Sequence, residues 1–169
     1  KHLDIKLKGD LCVLTVDLKQ KEPEAGYASY LTGFLEKIVC GGKPVLYYSH
    51  IVTLVNCANG KPMSDENMNL FIKFLKGNYL CAGLSRCFHK ITDMQHHYRQ
   101  SVKAIELGVR TNPERVFFSY ESIAIYHLLD KCSRQDDLEE FCHPSLLALR
   151  EYDRKNSNNL TQTLYIYLS

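Results

Sequence analysis

The sequence predicts an α+β fold, in which an antiparallel β-sheet packs against helices and an all-helical tail follows. Up to residue 120, short apolar segments alternate with stretches whose apolar residues recur at steps of three and four. Two of the apolar segments, 44–49 and 51–57, follow each other almost directly, as the strands of an antiparallel hairpin do. After residue 120 the periodic segments all have helical spacing, so we expect a domain boundary there.

The composition fits a single domain with an appendage, because 169 residues can bury a full core. The net charge of +2 is too small to indicate a nucleic-acid or membrane partner. No apolar run approaches the roughly 18 residues of a membrane span, and no signal peptide is recognisable, so we expect a cytoplasmic protein. The chain begins with Lys1 and ends within a helical pattern, which predicts a fragment of a longer protein.

The seven cysteines are an odd number, and no Cys-x-x-Cys pair occurs. Cys12, Cys57 and Cys81 lie within apolar strand candidates, which favours small buried thiols in a reducing compartment. A disulfide scaffold is not expected. A zinc site is not expected either, because no two ligands have the spacing of a zinc finger.

The first two predicted elements are a strand and a helix. Residues 11–18 are apolar on both faces, which predicts a central strand. The segment QKEPE, residues 20–24, is predicted to be a loop. An apolar stripe over residues 27–38 then predicts a helix that Gly41 and Gly42 end.

The hairpin and a second helix follow. In the hairpin only Ser49 and His50 remain to form the turn. After a loop, Ser64 is the predicted N-cap of the helix, and Asp65 and Glu66 suit the positive end of its dipole. The buried face is predicted to consist of Met68, Phe71, Ile72 and Leu75.

The next stretch reads as a strand–helix–strand unit, with short apolar strands at 79–85 and 115–120. Thr92 and Gln95 have the spacing of a capping box at the start of the helix, and Gly108 is the predicted left-handed residue that ends it. The face toward the sheet is predicted to consist of Ile91, Met94, Tyr98, Val102, Ile105 and Val109.

The first six elements have the order β-α-β-β-α-β, which predicts a ferredoxin-like antiparallel sheet with its helices on one face and the hairpin 44–57 at its centre. The last helix and strand extend that sheet. The tail is predicted to contain four short helices, at 122–131, 136–142, 144–153 and 160–168.

The tail also resembles that of the PucR/CdaR family of bacterial transcription regulators. The matching positions are His143, Pro144, Leu146, Leu149, Tyr152 and Asp153, followed by Asn159, Leu160, Thr163, Leu164, Tyr167 and Leu168. The resemblance implies that residues 1–120 form a GGDEF-like regulatory domain and that residues 121–169 connect it to a helix-turn-helix segment after Ser169. It further implies a homodimer, DNA contact only through that later segment, and a role for a small-molecule effector.

The related diguanylate cyclases use the same sheet for phosphoryl transfer. They need an acidic residue at the end of the first strand and a Gly-Gly-Asp/Glu-Glu-Phe signature at the hairpin, which together hold metal and triphosphate. This chain has Asp17 near the first position but Ser49 and His50 at the second, and one carboxylate cannot organise magnesium and a polyphosphate. We therefore expect no catalytic, cofactor-binding or metal-binding residues. A nucleotide-binding sensor and an active cyclase-type enzyme on this fold are the alternatives.

The histidines and one cysteine have a chemical and a structural interpretation. His89, His96 and His97 lie close in sequence, but neighbours on a helix point about 100° apart, so surface positions are favoured over a shared metal. Cys142 precedes His143, as in a thiolate–imidazole pair. Nothing else supports nucleophilic catalysis, and the family resemblance makes His143 the start of a helix.

A run of basic residues could be either a solvated surface or a nucleic-acid-binding surface. Acidic residues interrupt the run and no aromatic platform accompanies it, which favours a solvated surface over a nucleic-acid-binding one. The basic residues are Arg86, Lys90, Arg99, Lys103, Arg110 and Arg115, and the acidic ones are Asp93, Glu106 and Glu114.

Four tyrosines are placed where they can join the core or a partner. Tyr47 and Tyr48 lie in the hairpin, whereas Tyr120 and Tyr126 flank the expected domain boundary. We expect most of them at the edge of the core, with some in a subunit contact, where tyrosine is favoured.

Overall fold

A computed structural model describes residues 10–18, 25–39, 42–57, 61–133 and 138–168. These residues form a mixed α/β structure with a five-stranded sheet and six α-helices. The chain divides into two compact units, Lys1–His127 and Leu128–Ser169. The domain boundary expected near residue 120 stays a prediction.

The strands are β1 (Asp10–Asp17), β2 (Val45–Tyr47), β3 (His50–Cys57), β4 (Cys81–Leu84) and β5 (Phe117–Ser119). They lie in the order β2-β3-β1-β4-β5. The first four pair antiparallel, as predicted, but β5 pairs parallel with β4, so the sheet is mixed rather than wholly antiparallel. The reason is the long helical crossover between β4 and β5, which returns the chain to the end of the sheet at which β4 began.

The central place of β1 confirms the prediction from its two apolar faces, since residues 11–16 are all buried. The prediction that the hairpin 44–57 occupies the centre is wrong. Because β4 pairs with the other side of β1, the hairpin is displaced outward and β2 becomes an exposed edge strand.

The turn of the hairpin lies one residue earlier than predicted. Tyr47 pairs with His50, so the two turn residues are Tyr48 and Ser49. Tyr48 has a φ of 51°, in the left-handed region that tight hairpin turns use.

Helices cover both faces of the sheet. The helices α1 (Ala25–Ile38) and α2 (Asp65–Gly77) share a core with Cys12, Leu14 and Val16 of β1, which confirms that they pack on one face. The alternate residues of β1, Leu11 and Val13, face the opposite way, where the helix α3 (Met94–Thr111) lies. The side chain of Ser64 accepts a hydrogen bond from the backbone N–H of Asn67 at 3.2 Å, which confirms the predicted N-cap of α2.

The start of α3 differs from the prediction. A 3-10 turn, Ile91–Asp93, leads into the helix, so Thr92 lies inside that turn rather than at the N-cap. Its hydroxyl donates to the carboxylate of Asp93 at 3.2 Å, and Asp93, the N-cap, makes no side-chain capping bond. The predicted capping box of Thr92 and Gln95 is therefore wrong.

The end and the buried face of α3 also differ from the prediction. The helix continues to Thr111, and Gly108 lies inside it, where a Cβ atom would overlap the ring of Phe118. Gly108 therefore serves close packing rather than termination. The face is rotated toward small side chains, and the buried residues are His97, Ser101, Ala104, Ile105, Leu107 and Gly108. Ile91 and Val109, predicted to be buried, are exposed.

The described residues of the tail form helices and no strand, as predicted, but the helix predicted at 136–142 is a short 3-10 turn. The tail contains the helices α4 (Tyr120–Cys132), α5 (Pro144–Asn156) and α6 (Leu160–Leu168), with a 3-10 turn at Leu138–Phe141. The predicted loop at residues 20–24 and Gly41 lie outside the described residues. Within the described ranges, no helix has the length and apolar character needed to cross a membrane.

Candidate functional site

A groove opens beside α3 because one helix cannot cover a face that is five strands wide. α3 lies mainly over β1, β4 and β5. The side chains of β2 and β3 that point to the same face therefore stay partly uncovered, among them Val45 and Tyr47. The 3-10 turn and the first turn of α3 form the opposite wall.

The groove has a volume of about 650 Å³. The residues that line it are Gly42, Lys43, Val45, Tyr47, Val52, Leu54, Ile91, Thr92, Met94, Gln95 and Tyr98. Most of its surface is aliphatic or aromatic. Small-molecule sites in proteins commonly measure about 300–1,000 Å³ and combine apolar walls with a few polar groups, so the groove has the size and chemistry of a ligand site.

A short polar chain lies at the end of the groove next to the hairpin turn. Nδ1 of His50 and the hydroxyl of Tyr98 are 2.9 Å apart, and Nε2 of His50 is 3.9 Å from Oδ1 of Asp17. The ring of Tyr47 packs edge-on against the ring of Tyr98. Burial raises the pKa of Tyr98, helped by the neighbouring hydroxyls of Tyr47 and Tyr48, so the phenol keeps its proton and can donate a hydrogen bond.

This arrangement brings Asp17 and His50 together, the two positions that the cyclase comparison singled out. The carboxylate of Asp17 faces the imidazole of His50, whose other ring nitrogen contacts the phenol of Tyr98. Among the described residues, no group of three or more histidine, cysteine, aspartate or glutamate side chains could hold a metal ion. The groove therefore combines apolar walls with a few hydrogen-bonding side chains, among them Gln95 and Tyr98.

The three histidines of the sequence prediction do not share a site. His89 pairs through Nδ1 with Oδ1 of Asp10 at 3.0 Å, in an exposed position. His96 is exposed and is hydrogen-bonded to Gln100. His97, by contrast, is only 9% exposed and stacks on Phe88, with ring centres 4.2 Å apart. The expectation of surface histidines is therefore wrong for His97.

We expect His97 to make the fold sensitive to acid. Burial lowers the pKa of His97 below its usual 6.5, with a smaller contribution from the neighbouring His96. The unfolded chain then binds more protons near pH 6, so the contribution of His97 to stability is complete above about pH 6.5 and declines as the pH falls below that value. His97→Phe should lower the slope of unfolding free energy against pH between 7 and 5, as measured by urea unfolding.

The matched control for His97 is its exposed neighbour. His96→Phe makes the same chemical change in a solvated position and should leave most of the slope in place. An unchanged slope in His97→Phe would show that other groups cause the acid sensitivity.

The side chain of His143 has a structural role in the tail. His143 is the N-cap of α5, and its Nδ1 accepts a hydrogen bond from the backbone N–H of Ser145 at 3.2 Å. This confirms the interpretation of His143 as the start of a helix. Asp153, at the other end of the shared motif, accepts hydrogen bonds from the backbone N–H groups of Leu160 and Thr161 at the start of α6. These hydrogen bonds lower the pKa of Asp153, and the one from the backbone N–H of Thr161 has the largest effect.

Two of the basic residues make contacts within the protein. Lys103 pairs with Glu106 at 3.0 Å, within one turn of α3. The guanidinium of Arg86 lies 5.6 Å from the centre of the Tyr120 ring, so it contributes a cation–π contact to the protein itself.

The four tyrosines divide into two groups. Tyr47, Tyr48 and Tyr126 are substantially exposed, and Tyr48 is the most exposed of them at 82%. The hydroxyl of Tyr120 and Nδ1 of His127 are 2.7 Å apart. Tyr120 is partly buried and packs at the edge of the core. Tyr47 of the edge strand and Tyr48 of the hairpin turn together form an exposed aromatic surface.

Sequence reasoning missed the groove. It treated the hairpin strands as apolar throughout and assigned Tyr98 to the packed face of α3. The number of predicted elements could have indicated the groove. A five-stranded sheet has two faces to cover, but only three helices are predicted before residue 120. If two of them pack on one face, a single helix is left for the other.

No protein-family model matches the sequence, and no curated protein or solved structure is significantly similar to the chain. The function must therefore be argued from the groove and the tail.

Proposed function

We propose that the chain is the regulatory part of a bacterial transcription regulator of the PucR/CdaR type. A catalytically inactive, GGDEF-like domain (1–120) binds a small-molecule effector, and the helical connector (121–169) passes the signal to a DNA-binding segment beyond Ser169. Four antiparallel strands in the order β2-β3-β1-β4, with α1 and α2 on one face, support a ferredoxin-like core for that domain.

The observation that carries the proposal is the apolar groove between β2 and α3. Its walls suit a largely apolar molecule, while the hydroxyl of Tyr98 and the side chain of Gln95 supply hydrogen bonds. The exposed amine of Lys43 at the rim favours a ligand with an anionic end. The inferred effector is therefore a small apolar or aromatic acid rather than a nucleoside triphosphate, which needs several cations or a metal.

The junction of α5 and α6 supports the role of the connector. His143 caps the start of α5. Asp153, near the end of α5, accepts hydrogen bonds from the first residues of α6 and so links the two helices. α6 then presents several exposed apolar side chains, which a following segment can cover: Leu160, Leu164, Tyr165, Ile166, Tyr167 and Leu168.

The homodimer is part of the same proposal. Tyr47 of the edge strand β2 and Tyr48 of the adjoining turn expose aromatic rings, and tyrosine is enriched where subunits meet. A symmetric dimer would present two DNA-binding segments to paired half-sites, which is the usual arrangement of such operators.

The groove is tested with the anionic aromatic probe 1-anilinonaphthalene-8-sulfonate, whose fluorescence rises in apolar sites. We expect the intact chain to bind it with saturable affinity and Val45→Glu to weaken that binding about tenfold or more, because a carboxylate on the groove wall repels the sulfonate and adds a polar surface. Val45 is 58% exposed on the edge strand, so the substitution should leave the fold intact.

Ile166→Glu is the matched control, because it replaces a β-branched residue of similar exposure, 66%, on α6. Loss of probe binding in Ile166→Glu but not in Val45→Glu would place the probe on the tail and contradict the groove as a ligand site. The rival enzyme is tested on the same sample with GTP or ATP and magnesium or manganese. Formation of a cyclic or linear dinucleotide above the level without protein would refute the non-catalytic assignment.

A further inference from the structure

Three thiols meet at the end of the sheet opposite the hairpin turn. In the register of β1 and β3, Asp10 pairs with Cys57, so Cys12 is the diagonal neighbour of Cys57 on the same face. Their Sγ atoms are 2.9 Å apart. A disulfide has an S–S length of about 2.05 Å, so the two sulfurs need to approach by less than about 1 Å to form one.

The third thiol, Cys87, follows β4 in the chain. Leu11 and Phe88 exchange both of their backbone hydrogen bonds, at 2.8 and 2.7 Å, which holds this segment beside the start of β1. Cys87 is exposed, whereas Cys12 is completely buried and Cys57 lies between these extremes. The cluster therefore has an inner, a middle and an outer thiol.

The hydrogen bonds in the cluster make the middle thiol the most acidic. When both thiols are protonated, Cys57 donates to the sulfur of Cys12. When Cys57 ionises, the Cys12 S–H donates to the Cys57 thiolate instead. This hydrogen bond and a smaller contribution from Cys87 lower the pKa of Cys57 to about 7, against the opposing effects of burial and Asp10. The same hydrogen bond, together with burial, raises the pKa of Cys12. Burial and Cys57 raise the pKa of Cys87 to about 12. Since the thiolate is the reactive form, Cys57 is the nucleophile of the three.

We propose that hydroperoxides oxidise Cys57 and that the oxidised Cys57 then forms a disulfide with Cys12. This inference is independent of the groove and of the proposed effector. It rests on the Sγ–Sγ distance and on the graded exposure of the cluster.

The reaction proceeds in two steps with hydrogen peroxide as oxidant. The Cys57 thiolate attacks one peroxide oxygen, the O–O bond breaks, and the departing hydroxide takes a proton to become water, which leaves Cys57 as a sulfenic acid. The sulfur of Cys12 then attacks the sulfur of Cys57, the S–O bond breaks, and the hydroxyl leaves as water with the Cys12 proton. The two thiols lose two electrons and two protons, and the peroxide is reduced to two waters.

The proposal is tested on the full chain with one equivalent of hydrogen peroxide at pH 7, followed by alkylation, proteolysis and mass spectrometry. We expect a peptide pair that joins Cys12 to Cys57, which reducing agent separates. In Cys12→Ala the product should be a Cys57 sulfenic acid that dimedone traps. Cys87→Ser should form the Cys12–Cys57 disulfide as the unaltered chain does.

Iodoacetamide supplies a second measurement that needs no change in the core. Cys57 should react about tenfold faster than Cys132, a partly buried cysteine of the tail, because a larger fraction of it is thiolate. A disulfide between Cys57 and Cys87, or oxidation confined to the exposed Cys87, would overturn the proposal. A Cys57 that reacts no faster than Cys132 would do so as well, whether or not Cys12→Ala folds.

Discussion

Replacing Gly83 with alanine is expected to destabilise the fold by about 3 kcal/mol, measured as the free energy of unfolding in urea. Gly83 lies in β4 at the point where α3 crosses the sheet. A Cβ atom there would overlap the backbone carbonyl oxygen of Ser101 and lie 2.8 Å from Cγ1 of Ile105. Because the nearest obstacle is backbone, a change of rotamer cannot relieve the contact, and the whole helix has to move away from the sheet.

Gly33→Ala provides the matched control for Gly83→Ala. Gly33 lies within α1, and a Cβ atom there would meet no heavy atom within 4 Å. Alanine is favoured over glycine inside a helix by up to about 1 kcal/mol, so this variant should be more stable than the unaltered chain. Equal effects at the two positions would show that α3 and β4 are not packed as closely as described.

The second large effect concerns two buried threonines. Replacing each with valine should change the free energy of unfolding in opposite directions. Thr15 and Ser101 are both fully buried, and their hydroxyl oxygens are 2.6 Å apart. Ser101 donates its own proton to the carbonyl of Tyr98, so Thr15 is the donor to Ser101. Thr15→Val removes that donor and leaves a buried hydroxyl oxygen short of a partner, which should cost about 1–2 kcal/mol.

Thr53 is the opposite case on the neighbouring strand β3. Its hydroxyl is buried and has no hydrogen-bond partner within the part of the chain that the structure describes. Thr53→Val removes the unpaired polar atom and should raise the stability by about 1 kcal/mol. Urea unfolding of both variants measures the difference. A loss of stability in Thr53→Val as large as that in Thr15→Val would mean that the Thr53 hydroxyl has a partner in solution.

Local features of the fold were predictable from the sequence, because their causes lie within a few residues. Ser64 caps α2 through a group three residues away, and β1 shows its central position in its own apolar run. The orientation of α3 could not be read in this way. The buried face of α3 depends on its close approach to Gly83 of β4 and Phe118 of β5. Because those contacts are distant in sequence, the apolar periodicity of the helix favoured its large residues over Ser101 and Gly108.

The candidate site was predictable only in part. The sequence brought Asp17 and His50 to notice through the family comparison, and the structure places them 3.9 Å apart. The groove depends on which strand stands at the edge of the sheet and on how far α3 reaches across it. Both are consequences of long-range pairing, which no local pattern in the hairpin reveals.

The central position of β1 has a consequence for the order in which the protein can assemble. The backbone N–H of Val13 bonds to the side chain of Ser85, 72 residues away, and Thr15 meets Ser101, 86 residues away. During synthesis, one side of β1 therefore stays unpaired until the 72 residues after Val13, up to Ser85, have followed. Closing such long loops costs conformational entropy before the stabilising contacts form, so we expect slow folding for a domain of this size. In that interval the unpaired side of β1 is exposed to other chains, which favours aggregation of the nascent protein.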